Sequence, residues 1–354
     1  MADTDPDTYT QAGIGSLAAA PLGAPPPSSA STRAALRATA DFLVRRRELS
    51  IILVTIAAGL YFTVDSGKSF NTTGNYHIIM QYFAPWAIIG AGESLLLICG
   101  EIDLSAGFVF TFTPFAFMSF YDNGATVPVA FIGALAVAAG VGLVNGLIRV
   151  LFNLSSFIVT LGMGFFLEGM SYIQSRGEPT PPPIAGGLQQ VVGGARWSEL
   201  YWALGIVIVT QTALSATRYG VYAQAAGGNP LSAAESGIKV GRVKVATFVV
   251  TSLLAGFTGI LDQVRVGSFD PTSGGNATMF MAVASAVIGG TALLGGSGTV
   301  IGALFGAVLL GIINDGFNLI GVNAYAFDVV IGIAVVVAML LNVYLLKVRK
   351  KVVR

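Results

Sequence analysis

Charge is scarce in this chain. Asp, Glu, Lys and Arg make up 10% of its 354 residues and apolar side chains 54%, whereas about a quarter of a soluble globular protein is charged. That shortage excludes a soluble globular domain and points to an integral membrane protein. Cysteine occurs once, at Cys99, and histidine once, at His77. A lone cysteine excludes an intramolecular disulfide, and one residue of each kind leaves neither a nucleophile–base set nor a metal cluster. No catalytic residue, metal or cofactor is therefore expected, and no nucleic-acid partner. A phosphate-binding loop is also missing: Gly67-Lys68-Ser69 mimics its end, but Phe62 stands where the first glycine is required. The chain is not expected to bind ATP.

What is abundant is apolar runs. Residues 1–44, rich in Ala, Pro, Ser and Thr and carrying Pro25, Pro26 and Pro27 in a row, read as a disordered cytoplasmic tail. Arg45, Arg46 and Arg47 then precede a first span over 49–64, and further spans are predicted at 76–98, 104–121, 127–148, 156–173, 199–217, 245–264, 278–294, 299–320 and 327–346. The fold class is all-α: a polytopic bundle of about ten transmembrane helices. An even number returns the basic tail, 348–354, to the side of the amino end. Fifteen of nineteen Lys and Arg residues then fall inside, leaving Lys68, Arg176, Arg196 and Arg265 outside, which is the positive-inside bias. The outer loop 174–198 carries Pro179, Pro181, Pro182 and Pro183 and is expected to be extended. Forty-five glycines suit close helix contacts in lipid.

One long polar stretch, 218–244, interrupts the apolar second half of the membrane domain, 45–347. Within it Asn229-Pro230 is a helix-start signal and Gly237 a stop. The helix between them has roughly two turns and about 10 Å, too short to cross a bilayer. Arg218, Lys239, Arg242 and Lys244 flank it and put it outside the inner face. Two readings stand: a docking knob for a soluble partner, or an ordinary loop with one helical turn.

Acidic groups at membrane depth are costly and mark candidate sites. Glu93, Glu101, Asp103, Glu168, Asp262, Asp315 and Asp328 qualify, and Gly100–Ser105, reading GEIDLS, is the densest cluster. Gly100 breaks a helix there, and Asp103 or Ser105 caps the next. Broken helices in the bundle interior line cavities, so Glu93, Glu101, Asp103 and Ser105 are candidates for a translocation path; a plain capped turn is the alternative. A second glycine break, 289–298, leads into Gly298, Gly302 and Gly306, predicted to pack as one helix face against a neighbour rather than to touch a solute. His77, among aromatics at a span end, reads as a buried or interfacial histidine.

Three ordered stretches, GEIDLSAG at 100–107, AAGGNPLSAAESGIKVGRVK at 225–244 and AVASAVIGGTALLGGSGTVIGALFGAVLLGIINDGFNLIGV at 282–322, resemble the permease subunits of ribose-type sugar ABC importers, as does SSFIVTLGM at 155–163. The resemblance implies a subunit that pairs with a second permease copy, cytoplasmic ABC ATPase subunits and a periplasmic or surface solute-binding protein, in a bacterial inner membrane with both termini cytoplasmic. It implies alternating access for a monosaccharide or sugar alcohol, with ATP hydrolysis in the partners. It also implies that Gly227, Gly228 and Asn229, with Ser236, Gly237 and Ile238, belong to the loop that docks on the ATPase. Two departures stand out. Pro230, Leu231 and Ala234, with the acid at Glu235, occupy positions where relatives commonly carry acids and a base, which bears on partner choice. Glu101 adds a carboxylate to the usual GGIDLS, which bears on the solute. Nucleoside or branched-chain amino-acid transport is the nearer alternative, and an ion-coupled secondary transporter working through Glu93, Glu101 or Asp103 the more distant one.

Overall fold

The computed structural model describes residues 47–352, with side chains described for most positions between 49 and 340. The expected tail 1–44 and the last two residues of the basic tail lie outside the described residues. Helix dominates. In order these are α1 (Arg47–Asp65), α2 (Thr73–Ile98), α3 (Ala106–Asp122), α4 (Val127–Leu151), α5 (Ser156–Ser175), the short α6 (Gly186–Gln189), α7 (Ser198–Ala216), α8 (Arg218–Gly228), α9 (Pro230–Glu235), α10 (Val240–Val266), α11 (Gly275–Ile288), α12 (Val300–Leu319) and α13 (Ala324–Val352). A 3₁₀ turn, Gly67–Ser69, and a π turn, Gln190–Gly194, complete the set. Among the described residues there is no strand, only an isolated bridge between Thr180 and Phe269.

Each of the ten apolar stretches carries a helix, and among the described residues five of these, α4, α5, α7, α10 and α12, are long and apolar enough to cross a membrane by length and composition alone. Two expectations need correction. The stretch 278–294 is not a full span: α11 has 14 residues, about 21 Å. Its start is pinned by the link before it, which packs against α3, with Gly275 N–H donating to Thr111 Oγ1 at 3.2 Å and Thr111 donating to the Ser273 carbonyl. It ends early, at the Gly289–Gly290 break. The loop 174–198 is not wholly extended either, since α6 and the π turn occupy 186–194, where proline is absent.

The centre of the bundle is α10. Its 27 residues, about 40 Å long, pack against α4, α3 and α2. Buried large side chains such as Phe248, Ile260 and Leu261 fill part of these contacts, and small residues bring the backbones together. A Cβ on Gly142 or Gly146 of α4 would strike the α10 backbone at Phe248 or Val245, and one on Gly259 of α10 would strike the Phe110 carbonyl of α3. In lipid, where no solvent drives apolar surfaces together, such close approach is how dispersion holds helices. Other large apolar side chains point outward from α1, α5, α7 and α13, among them Leu60, Ile158, Ile208 and Val329.

The glycine row is also corrected at one position. Gly302 and Gly306 lie in α12 against the carbonyls of Gly289 and Ser285, but Gly298 precedes the helix and packs on Thr291 and Ile98. Thr299 takes the N-cap, its Oγ1 accepting from Gly302 N–H at 3.1 Å, so the helix begins after the first glycine of the predicted face.

Candidate coupling site

The polar stretch folds as two helices at a corner. Asn229 sits between α8 and α9 in an extended conformation, and its Oδ1 accepts from Ser232 N–H at 3.1 Å, with Pro230 in the first turn where its missing N–H costs nothing. At the other end Gly237 N–H donates to the Ala234 carbonyl at 2.9 Å and Ile238 N–H to the Ala233 carbonyl at 3.0 Å. This is a Schellman closure, and it needs the left-handed backbone that Gly237 supplies at φ +84°. Only Ala233 of α9 is buried; Leu231 is 71% exposed, and Ala234, Glu235 and Ser236 are exposed beside it.

Behind α9 the structure brings together the two glycine breaks. Gly227 lies so close to the end of α2 that a Cβ there would overlap the Ile98 carbonyl oxygen. That same oxygen accepts from Gly296 N–H at 2.8 Å. A Cβ on Gly295 would lie 2.7 Å from the Gly227 oxygen and 3.1 Å from Gly100, and one on Gly296 would lie 2.8 Å from Gly228. The end of α8, the link 99–105 and the link 289–299 therefore touch backbone to backbone.

Link 99–105 is pinned on its other sides by side chains. Ser156 Oγ accepts from Ile102 N–H at 3.3 Å and Thr160 Oγ1 from Leu104 N–H at 2.9 Å, so α5 satisfies donors that a broken helix would leave bare. Asp103 and Glu93 are both fully buried, with Asp103 N–H directed at Glu93 Oε2 at 3.5 Å. Ser105, expected as a capping side chain, does not cap α3. Its hydroxyl instead donates to Asp103 Oδ1 at 2.5 Å and accepts from Asn145 Nδ2 at 2.9 Å. Ser252 donates to the other Asp103 oxygen at 3.3 Å. Glu101 is held by two cations: Arg149 Nε lies 2.9 Å from both its oxygens, and Lys244 Nζ donates to Oε1. All four candidate path residues are thus buried inside this one chain.

Sequence reasoning missed Arg149, Lys244, Asn145 and Ser252. Arg149 and Lys244 were absorbed into the count of inner-face cations, yet Lys244 is 8% exposed. A signal existed for two of them: Asn145 and Arg149 are four apart, one helical turn, on a helix otherwise almost wholly apolar. The remaining acids are scattered. Asp262 and Glu199 both hold Arg265, at 2.6 and 3.0 Å, Asp315 accepts from Asn75 at 2.7 Å, and Asp328 is exposed. His77 is half-buried, its ring edge-on to Trp197 at 5.5 Å.

Residues 75–339 match the family described as branched-chain amino acid transport system / permease component. The chain belongs to that family. It is 34% identical to the xylose/arabinose import permease protein of Sulfolobus acidocaldarius, over 85% of this chain and 86% of that one. It is 31% identical to the ribose import permease protein of Escherichia coli K12, over 86% and 95%, and 27% identical to the fructose import permease protein of Rhizobium meliloti, over 84% and 85%. No solved structure matches it. A permease component is not an enzyme: it spans the bilayer, while ATP hydrolysis and solute capture belong to other chains of the transport system. This permease is accordingly a multi-pass membrane protein.

Proposed function

We propose that this permease forms the translocation path for a monosaccharide in a binding-protein-dependent ABC importer, and that α9 is where a soluble ATPase docks. The relatives named for xylose and arabinose, ribose and fructose support the solute class. The observation that carries the docking assignment is α9 itself. A helix of six residues is capped at both ends, exposes Leu231, and directly follows the end of α8, where the Gly227 backbone touches both helix breaks. Gly227, Gly228 and Asn229 form its upstream seat; Pro230, Ala234 and Glu235 its docking surface; Ser236, Gly237 and Ile238 its closure. The chain lies in a bacterial inner membrane with α9 and both termini on the cytoplasmic side. A second copy completes the path, and a solute-binding protein delivers sugar from the opposite side.

The mechanism is alternating access. Closure of the ATPase pair pushes α9, the two breaks shift together, and the opening moves from one side to the other; Glu93, Glu101, Asp103 and Ser105, buried in this conformation, belong to the wall that moves. The deciding experiment is capture of the ATPase on tagged permease from membranes. The Gly237→Val variant, strained at φ +84°, is expected to insert normally and to lose the ATPase. Undiminished capture sinks the docking assignment.

A further inference from the structure

The position of α9 in the chain sets a mechanical question: what does its displacement pull on? Upstream, the last turn of α8 holds Gly227, whose backbone is wedged against Ile98 and Gly100. Downstream, Gly237–Lys239 leads with no slack into α10, and Lys244 in the second turn of α10 donates to Glu101. Both ends of α9 are therefore tethered to one short stretch, the link between α2 and α3. The third member, Arg149, comes from the last turn of α4 and faces both Glu101 oxygens at 2.9 Å.

Resting on the docking reading above, we propose that Glu101, Arg149 and Lys244 form a coupling latch, positioning residues that carry the displacement of α9 into the broken stretch between α2 and α3. The physical reason is stiffness. Lys244 and Glu101 are 10% and 3% exposed at their side chains, and separating opposite charges shielded from water is strongly opposed because no solvent replaces the lost partner. Movement at α10 is then passed on to Glu101 rather than absorbed. Two residues on, Asp103 is hydrogen-bonded to Ser105 and Ser252 and directs its N–H at Glu93. A shift of Glu101 thus reaches the buried polar centre through the backbone. The cluster carries two cations on one carboxylate, so loss of the carboxylate leaves two like charges facing each other.

The test uses the whole importer, captured on tagged permease from its native membranes and reconstituted in liposomes, with uptake of radiolabelled D-xylose, D-ribose and L-arabinose measured beside ATP hydrolysis. Glu101→Gln and Lys244→Met are expected to lower uptake per ATP hydrolysed about tenfold. The exchange Glu101→Lys with Lys244→Glu is expected to bring the ratio back within about threefold of wild type, an outcome that loss of a path-lining carboxylate would not give. An exchange variant that assembles yet remains as impaired as the single variants overturns the latch. If the single variants do not assemble, Glu101→Asp, which keeps the charge and shortens the reach, carries the test: assembly with an unchanged ratio overturns the proposal, and a fallen ratio supports it. Absence of any ATPase on the wild-type chain would instead refute the docking reading.

Discussion

At Gly237 a Cβ would meet nothing within 4 Å, and the backbone stands at φ +84°. Any cost of substitution there is conformational: about 1–3 kcal/mol for a residue forced into the left-handed region, least for Asn and most for a β-branched side chain. Gly237→Asn is therefore expected to keep ATPase capture within about twofold of wild type, against the loss expected for Gly237→Val; equal loss in both would mean that the glycine matters for space rather than for backbone angle. The ion cluster gives the opposite kind of residue. Removing one member of a buried pair costs about 3–5 kcal/mol, while replacing all members by apolar side chains is often neutral. Lys244→Met should lower the unfolding temperature of the solubilised permease, and Glu101→Leu, Arg149→Met and Lys244→Met together should restore most of it. A triple variant no more stable than the single one would show that these charges do not act as a unit.

Between elements, the bundle depends on glycines that act by absence. A Cβ on Gly302 would overlap the Gly289 carbonyl and one on Gly306 the Ser285 carbonyl, whereas Gly59 of α1 and Gly205 of α7 meet nothing within 4 Å. Gly306→Leu is expected to force α12 from α11 and abolish a cooperative melt in detergent. Gly59→Ala and Gly205→Ala should hold or raise the melting temperature, since alanine is favoured over glycine in a helix by about 1 kcal/mol. Melting curves that rank these variants the other way would contradict the packing. The helices themselves were legible in the sequence because each apolar run is a local signal, and α9 was legible down to its caps because Asn229-Pro230 and Gly237 are local too. The start of α11 was less so: the link before it is fixed by Thr111, a contact 164 residues away.

For the molecule as a whole, the least legible feature was which charges meet. Glu101 and Lys244 are separated by 143 residues and Glu101 and Arg149 by 48; each alone reads as a path acid or an inner-face cation, and only the fold makes them one cluster. Sidedness, by contrast, was read from charge counts and remains open to direct chemistry. The single native thiol favours such a test, because Cys99 is fully buried, shielded by the close approach of α10, where Thr247 Oγ1 lies 3.5 Å from its sulfur. Wild-type permease should therefore stay unlabelled by a membrane-impermeant maleimide in sealed inside-out and right-side-out vesicles alike, and label only when unfolded. Against that silent background, Ser232→Cys on α9 should react in inside-out vesicles alone and Lys68→Cys in right-side-out vesicles alone. Both positions are exposed, so reaction from a common side would remove the charge-based orientation, and with it the reason for placing an ATPase on α9.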